Sequence, residues 1–503
     1  MTDYVLAVDF GTSSLKLGLF NEKLELKYTA PGRYSYNTYS RRIGWVEQNP
    51  KEWWIVFKKA VKDIMRKYDV RREEIVSISV GAHMGLVCVD RNGKPLRPSI
   101  LFFDQRSAKQ CEEMSRQVGE DTLLNVCGNR ISTTQSATQI MWLKENEPKV
   151  YENTYKFLIT PGYIAYLLTG EFSYDWTHAS WSLLFDIRKR KWSEKMFELF
   201  KIPIEKFPEP MLSCMILGYV TNSAAKEVGL KPGTPVMVGG SDTPLAALAE
   251  NVIEKNDALI TAGSVSSVIT CTDVPNFSLT LLNRCHVVPD RWLMQGAMNA
   301  HSNVFEWLIR ELYLKDGKEL SSKIFEEVEN EIQRSPIGAN NLIFLPYLAG
   351  ERSPIWDPYA RGVIFGLSFH HKRGDIMRAL YEGTAYAARH NLEFIESMGI
   401  KIDSFKIVGG GAKSRIWNQI KADVLGKKIF VGSAADASMI GSAMLAAYGI
   451  GWIKDLFKFK LEREDLQIFF PRKSAWTKYT RLFELYKSLY VSLKDKFYTL
   501  GQI

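Results

Sequence analysis

The sequence has few cysteines, no paired-cysteine motif and no long apolar run. Its six cysteines are spread over 503 residues without a C-x-x-C pair, and several stand in apolar stretches, where cysteine behaves as a small hydrophobic residue. We therefore expect buried free thiols in a reducing compartment. No apolar stretch reaches the ~18 residues needed to span a bilayer, and no basic and apolar leader precedes the first strand. These absences predict a cytoplasmic protein that has no membrane partner.

A run of basic residues is also missing. The formal net charge is +9, but lysine and arginine are interspersed with acidic residues instead of gathering in one segment. This distribution does not indicate nucleic-acid binding. It is typical of a mildly basic solvated surface, and the positive excess also suits a phosphorylated ligand.

Two familiar nucleotide-binding patterns are absent. Neither G-x-G-x-x-G nor G-x-x-x-x-G-K-[ST] occurs, which counts against a Rossmann dehydrogenase and a P-loop NTPase. Alternating strand and helix signals predict an α/β fold, with a strand over 75–80, a helix over 137–146 and a terminal helix over 476–497. No linker-like segment interrupts the chain, so we expect its domains to touch.

One element that is present is a small, hydroxyl-rich turn near the N-terminus. Within residues 4–20, an apolar strand reaches Asp9 and is followed by Gly11, Thr12 and Ser13. Glycine lets backbone N–H groups approach an anion, the hydroxyls add donors, and the preceding acid can hold a metal through water. A single turn of this kind is more often an ordinary hairpin, because glycine and serine favour turns for conformational reasons alone.

A second copy of this pattern lies half a chain away. Residues 258–262 are apolar, Gly263 and Ser264 open the turn, and the strand resumes by residue 268. A repeat at half the chain length predicts duplicated domains that face each other across a cleft and offer their loops to one polyphosphate. A single core rarely grows beyond ~250 to 300 residues, which also predicts two domains. Because the second hairpin begins only after Asn256 and Asp257, we place the domains at 1–248 and 249–503.

Asp242 is the strongest catalytic candidate. It follows a short apolar strand at 236–238 and two glycines, and it opens a helix of small residues predicted over 243–249. Aspartate is also a preferred N-cap residue, and the two interpretations are compatible. A helix N-terminus favours the ionised carboxylate, and ligands collect at strand-to-helix turns of α/β domains, so Asp242 is placed to accept a hydroxyl proton.

A third turn contains three successive glycines, Gly409, Gly410 and Gly411. It lies between a strand predicted at 405–407 and a helix that contains Trp417. Such a turn lets a flat or charged ligand approach the backbone and the helix N-terminus, although the glycines alone do not specify a ligand.

The order of these features along the chain resembles that of the FGGY carbohydrate kinases, which belong to the actin and hexokinase-like ATPase superfamily. The features are the turn after Asp9, Asp242 at a helix start, the turn at Gly263 and the glycine-rich turn at 409–411. The resemblance extends from Asp9 to about Leu445. It also includes shorter matches: Trp53 and Trp54 after Glu47 and Pro50, segments 103–106 and 346–354, Gly170 with Glu171, Gly362, Gly366, Leu367, Ala379 to Gly383, Trp417, Ala422 and Asp423. It implies two duplicated actin/ribonuclease H-like α/β domains around a central cleft, ATP and Mg²⁺ as cofactors, and a small sugar or polyol as substrate. Many such kinases are dimers, so a homodimer stays open.

The resemblance also implies roles for individual residues. Asp242 corresponds to the general base on the accepting sugar hydroxyl, Asp9 to the acid that organises Mg²⁺, and Asp104 to a sugar-contacting acid. Arg106, close to Asp104, could instead form a structural ion pair. The implied phosphate- and nucleotide-binding residues are Gly11, Thr12, Ser13, Gly263, Ser264, Gly410, Gly411 and Ala412.

Departures from the family pattern concern the sugar site. Where xylulose kinases usually carry Gln-Met-His, this chain has Ala82, His83 and Met84, so that Met84 replaces the expected sugar-binding histidine. His83 either binds the sugar from the adjacent position or is a packing residue. Three further positions in this region also depart from the pattern: Gln139, His178 and Trp181.

The leading substrate is a ketopentose such as xylulose, because the spacing and the run at 350–354 are most similar to that branch. Gluconate, ribulose, glycerol and other polyols stay open, since a few substitutions in a sugar site can redirect it. Alternatives of another class are a catalytically silent sugar or nucleotide sensor and an actin- or chaperone-like ATPase. The presence of both Asp9 and Asp242 argues against a sensor, and no peptide-binding domain or filament-forming insertion supports the ATPase.

Overall fold

The computed structural model describes residues 2–314, 320–432, 436–461 and 466–502. They form two mixed α/β domains, each built on one large sheet, which we call the N-terminal sheet and the C-terminal sheet. In spatial order, the N-terminal sheet contains Ile216–Tyr219, Pro235–Met237, Ile75–Ala82, Tyr4–Phe10, Ser14–Phe20 and Leu26–Thr29, with Gly240–Ser241 and Tyr34–Ser35 paired to its inner strands. The C-terminal sheet contains Leu282–Cys285, Trp292–Met298, Ser266–Thr272, Ala258–Ala262, Ser404–Val408, Lys428–Val431 and Gln467–Phe469.

Both sheets have the same arrangement around a central strand. Tyr4–Phe10 pairs antiparallel with the strand that follows it and parallel with Ile75–Ala82. Likewise, Ala258–Ala262 pairs antiparallel with the next strand and parallel with Ser404–Val408. The α/β fold with two duplicated domains, expected from the repeat, is therefore confirmed. The domain boundary at residue 248 stays a prediction; it falls within the helix Asp242–Ala249.

Further elements complete the two domains. A second sheet near the N-terminal one contains, in spatial order, Lys156–Ile159, Gly85–Val89, Ser99–Leu101, Glu47–Gln48 and Thr38–Tyr39. The longer helices are Pro50–Tyr68, Ala108–Gln117, Ser136–Asn146, Pro148–Asn153, Thr160–Thr169, Glu194–Leu199, Asn222–Val228, Asp242–Ala249, Ser302–Tyr313, Ser322–Arg334, Arg373–Ser397, Arg415–Leu425, Ala437–Gly449 and Lys473–Leu500. The strand predicted at 75–80 and the helices predicted at 137–146 and 476–497 are among these elements.

Burial follows the apolar pattern of the sequence closely. In the terminal helix Lys473–Leu500, Tyr486 and Leu489 are buried, whereas Leu485 is exposed. The cysteines are free thiols; five are buried and Cys111 is partly exposed. The expected free thiols are thus found.

Two helices, one from each half of the chain, join the domains. Asp242–Ala249 packs its alanines against apolar residues of the C-terminal sheet, and Ala437–Gly449 packs against the N-terminal sheet. A Cβ atom on Gly441 would lie 2.1 Å from the carbonyl oxygen of Leu245. Only glycine allows the two helix backbones to approach this closely.

We predict that Gly441→Ala lowers the free energy of unfolding by about 1 to 3 kcal/mol, because the added methyl group forces apart a tightly packed helix pair. Urea unfolding would measure the change. The matched control is Gly119→Ala, since no described atom lies within 4 Å of a Cβ at that position. Equal stabilities of the two variants would contradict the role of the helix contact.

Candidate active site

The carboxyl ends of three adjacent parallel strands bring Asp9, His83 and Asp242 together. In the register of the N-terminal sheet, Asp9 lies opposite Gly81, and Gly81 lies opposite Gly240. His83 and Asp242 follow the ends of the second and third strands. Because neighbouring strands are about 4.8 Å apart, the three side chains belong to one edge of the sheet, where ligands of α/β domains bind.

Asp9 is a buried carboxylate with one free oxygen. Its Oδ2 accepts a hydrogen bond of 2.7 Å from the Ser438 hydroxyl, on the helix of the other domain. Its Oδ1 is buried and has no hydrogen-bond partner within the described ranges. Burial raises the pKa of Asp9 from 3.8 to about 6; the Ser438 hydrogen bond opposes this shift and the charge of Asp242 adds to it. The free oxygen is therefore a place where a bound cation would stabilise the ionised form.

Asp242 is half-buried at the start of its helix. The helix begins at Asp242 itself, one residue earlier than predicted, and Ser241 takes the N-cap position. The Oδ1 atom of Asp242 accepts hydrogen bonds from the Thr243 backbone N–H at 2.6 Å and from the Ser241 hydroxyl at 3.2 Å. These bonds orient the carboxylate at the positive end of the helix.

Both hydroxyl-rich turns are open to solvent. Thr12 and Ser13 of the first turn are exposed, and so is Ser264 of the second. The Gly11 carbonyl of the first turn accepts a hydrogen bond from the Tyr36 hydroxyl, and in the second turn the Gly263 N–H donates to the Val265 carbonyl at 3.1 Å. Their hydroxyls are thus available to a ligand.

The glycine-rich turn lies directly against the second hydroxyl-rich turn. Gly409 has φ +102°, and a Cβ there would lie 2.7 Å from the carbonyl oxygen of Ala262, next to Gly263. At Gly411, a Cβ would lie 2.5 Å from Cε1 of His301, whereas at Gly410 it would meet no described atom within 4 Å. The predicted turn forms a 3₁₀ turn, Gly410–Lys413, ahead of the helix Arg415–Leu425. Its open side at Gly410 leaves room for a ligand beside Ala412.

His83 is buried with one ring nitrogen unused. Its Nδ1 lies 2.8 Å from the Phe10 carbonyl oxygen, which can only accept, so Nδ1 carries the proton and Nε2 keeps its lone pair. Nε2 has no partner among the described residues. Burial lowers the pKa of His83, which keeps the ring neutral. The neighbouring Met84 is buried in an apolar cluster.

His178 is a second buried histidine that sequence reasoning noted only as a departure. Its Nδ1 contacts Asp175 Oδ2 at 2.7 Å, and its Nε2 finds no acceptor or donor in the part of the chain that the structure describes. Thr177, beside it, accepts a hydrogen bond of 2.9 Å from the Ser241 N–H. Thr177 therefore holds Ser241, the residue before Asp242, in place. No local sequence pattern predicts this contact.

Asp104 is occupied by structural contacts. Its two oxygens accept hydrogen bonds from the Val46 N–H and from the Arg106 backbone and guanidinium. The Arg106 side chain is fully buried, and its guanidinium lies 3.9 Å from the Trp45 ring centroid. The structural ion pair considered for Arg106 is therefore present, and it leaves Asp104 without a free acceptor position. A direct sugar contact by Asp104 stays a prediction that this geometry does not favour.

Comparison with protein-family models identifies the chain. Residues 4–249 match the N-terminal domain, and residues 258–450 the C-terminal domain, of the FGGY family of carbohydrate kinases. The chain belongs to this family. It is therefore a sugar kinase, a phosphotransferase that acts on a small sugar, and kinases of the FGGY family use ATP.

Individual FGGY relatives match over nearly their whole length. A xylulose kinase from Staphylococcus epidermidis is 30% identical over 98% of this chain and 97% of its own. A gluconokinase from Bacillus subtilis is 27% identical over 90% of this chain and 89% of its own. The solved structure of a xylulose kinase from Rhodospirillum rubrum, 27% identical, superposes with a TM-score of 0.90 over 98% of this chain and 100% of that one.

Several expectations about this FGGY kinase stay predictions. They are the roles of the individual site residues, a homodimer and a cytoplasmic location. Among the helices within the described residues, none is long and apolar enough to cross a membrane.

We predict that Asp9→Asn changes how stability depends on pH. Because the folded-state pKa of Asp9 is raised from 3.8 to about 6, the folded protein holds this proton more tightly than the unfolded chain. The contribution of Asp9 to the free energy of unfolding therefore falls as pH rises through this window, by up to about 3 kcal/mol. Asp9→Asn lacks this loss.

Urea unfolding at pH 4, 5, 6 and 7 would measure the difference between Asp9→Asn and the wild type. We expect the free energy of unfolding of Asp9→Asn to increase relative to that of the wild type as pH rises. The control is Asp3→Asn, at an exposed aspartate, for which the two curves should run parallel. Parallel curves for Asp9→Asn as well would contradict the buried, proton-retaining carboxylate.

Proposed function

We propose that this FGGY kinase transfers the γ-phosphoryl group of Mg·ATP to a hydroxyl group of a ketopentose such as xylulose, with Asp242 as general base. The observation that carries this proposal is the position of Asp242, half-exposed at a helix N-terminus on the same sheet edge as Asp9 and His83. The full-length match to relatives named xylulose kinase supports the choice of substrate.

Asp242 is oriented for proton abstraction by its own helix. The Thr243 N–H and the Ser241 hydroxyl hold one carboxylate oxygen at the positive end of the helix. Thr177 in turn fixes the Ser241 backbone. A carboxylate held in this way accepts the proton of the attacking hydroxyl, a contribution of typically 10² to 10⁴ in rate.

The residues around the cleft fit a nucleotide and its metal. The exposed hydroxyls of Thr12, Ser13 and Ser264 suit phosphate oxygens, and the open face of Gly410 suits the adenosine. Across the described ranges no cluster of three or more His, Cys, Asp or Glu side chains could cage a metal. Mg²⁺ instead needs only one or two carboxylates together with phosphates and water, and the free Oδ1 of Asp9 meets that need. When bound, Mg·ATP supplies the phosphoryl group and positive charge against its oxygens.

Gluconate is the second candidate substrate, because the chain also matches the Bacillus subtilis gluconokinase over most of its length. Ribulose, glycerol and other polyols are further alternatives. The replacement at Met84, which is apolar and buried, removes a polar group from the position where xylulose kinases usually bind sugar. A catalytically silent sensor is the alternative of another class.

We predict that Asp242→Asn lowers sugar-dependent ADP release by about 10² to 10⁴ while ADP affinity changes less than about threefold, because the residue is assigned to the acceptor hydroxyl. The assay compares xylulose, ribulose, gluconate, glycerol and a sugar-free blank, and calorimetry measures ADP binding. Substantial turnover in the variant would remove Asp242 from the base role. Sugar-independent or absent ADP release in the wild type would favour the ATPase or the sensor.

We predict that Gly410→Leu raises the KM for ATP at least about tenfold, equivalent to about 1.4 kcal/mol, because the new side chain fills the open face of the turn. The fold should tolerate it, since no described atom lies within 4 Å of a Cβ there. Steady-state kinetics and thermal unfolding would test both parts. An unchanged KM for ATP in a normally folded variant would remove this turn from the nucleotide site.

A further inference from the structure

Arg284 is a charged side chain beside the base that no sequence motif singled out. It lies on the edge strand Leu282–Cys285, and its guanidinium stacks over Trp181 at 5.1 Å from the ring centroid. One terminal nitrogen donates to the Ser241 hydroxyl at 3.3 Å. The same hydroxyl contacts Asp242, so Arg284 borders the place where the accepting hydroxyl must lie.

The guanidinium of Arg284 lacks a carboxylate contact. No carboxylate oxygen lies within 4 Å of it in the described part of the chain, in contrast to Arg106 and Arg378, which contact Asp104 and Glu382 at 2.8 Å. The Nε atom of Arg284 is buried and donates to no described acceptor. A buried donor without a partner costs free energy until a partner arrives.

The surroundings of Arg284 indicate that this partner comes from outside the chain. Burial lowers the pKa of its guanidinium, the charge of Asp242 opposes that shift, and Arg352 adds to it. The positive charge of Arg352 thus acts on Arg284, and an electron-rich ligand oxygen beside Arg284 would be attracted to its guanidinium. The ring of Trp181 covers one face of the guanidinium, and Nε of Arg284 keeps an unused N–H.

Arg284 and the two histidines differ in what they can recognise. A guanidinium offers only N–H donors, whereas His83 offers an unpartnered Nε2 lone pair and the Nε2 atom of His178 is also unpartnered. His83 therefore suits a hydroxyl group that donates. Arg284 can only donate, and the acceptors in a sugar that carry no O–H of their own, and so bring no donor toward the guanidinium, are carbonyl and carboxylate oxygens.

We infer that Arg284 is a specificity-determining residue that donates to a carbonyl or carboxylate oxygen of the acceptor sugar and so disfavours polyols that carry only hydroxyl groups. The inference rests on the proposed function, because it places the sugar next to Asp242. An open-chain ketose offers a carbonyl oxygen and an aldonate offers a carboxylate oxygen, so either sugar could bind in this way. The test below distinguishes the two.

Two matched pairs of compounds test the inference. Xylitol is xylulose with its carbonyl reduced to an alcohol, and sorbitol is gluconate with its carboxylate reduced to an alcohol. We expect the wild type to prefer the oxidised member of at least one pair in kcat/KM. Arg284→Met should lower kcat/KM for that member about 10- to 100-fold and change the reduced member less than about threefold. The pair that responds identifies the oxygen as carbonyl or carboxylate.

Further variants separate recognition from folding. Arg284→Lys retains a charged donor and should keep part of the preference. Arg415→Met, at an exposed arginine that contacts Gln467, should leave both pairs unchanged. An equal loss on the oxidised and reduced members in Arg284→Met would indicate a structural role and overturn the inference. An unchanged preference would overturn it as well.

Binding without turnover keeps this test distinct from that of the proposed function. Calorimetry of the four compounds in the absence of nucleotide measures the same preference even if ADP release fails. Preferential binding of an oxidised compound that Arg284→Met abolishes would support the role of Arg284 while the kinase proposal fails. Failure of the wild type to bind any of the four compounds would overturn the inference.

Discussion

The close contact between helices Asp242–Ala249 and Ala437–Gly449 is the constraint on which the rest of the structure depends. The first helix belongs to the N-terminal half of the chain and packs its alanines on the C-terminal sheet. The second belongs to the C-terminal half and packs on the N-terminal sheet. The glycine at position 441 brings their backbones together. Because the first helix begins at Asp242 and the second carries Ser438, which contacts Asp9, one packing interaction sets the positions of both acids.

Around these acids the protein leaves polar atoms without partners. The Oδ1 atom of Asp9, the Nε2 atoms of His83 and His178, and the Nε atom of Arg284 are all buried and unpaired within the described residues. Buried polar groups are normally satisfied, and departures from that rule concentrate at functional sites. Their donor and acceptor types differ, so together they define a pattern that a ligand with several oxygens can complete.

Local patterns predicted the parts of the site that depend on neighbouring residues in the chain. Both hairpins, the strand at 75–80 and the helix that begins at Asp242 were anticipated because turn chemistry and apolar periodicity act over a few residues. The ion pair of Asp104 with Arg106, two residues apart, was likewise within reach. The contact between Asp9 and Ser438 was not, since their separation of 429 residues leaves no local signal.

The sequence by itself determined the family and the duplicated α/β architecture, because these follow from motif order and from hydrophobic patterns that repeat in both halves. It also predicted Asp242 as the base. Only the tertiary structure decided which polar atoms near Asp9 and Asp242 have no hydrogen-bond partner. His178 and Arg284 come from segments about one hundred residues apart. Histidine and arginine are also common on protein surfaces, so the residue type alone does not identify them as site residues. The packing of the two domains brings both segments against Ser241, and the buried atoms that lack a partner, His178 Nε2 and Arg284 Nε, are therefore open to a substrate.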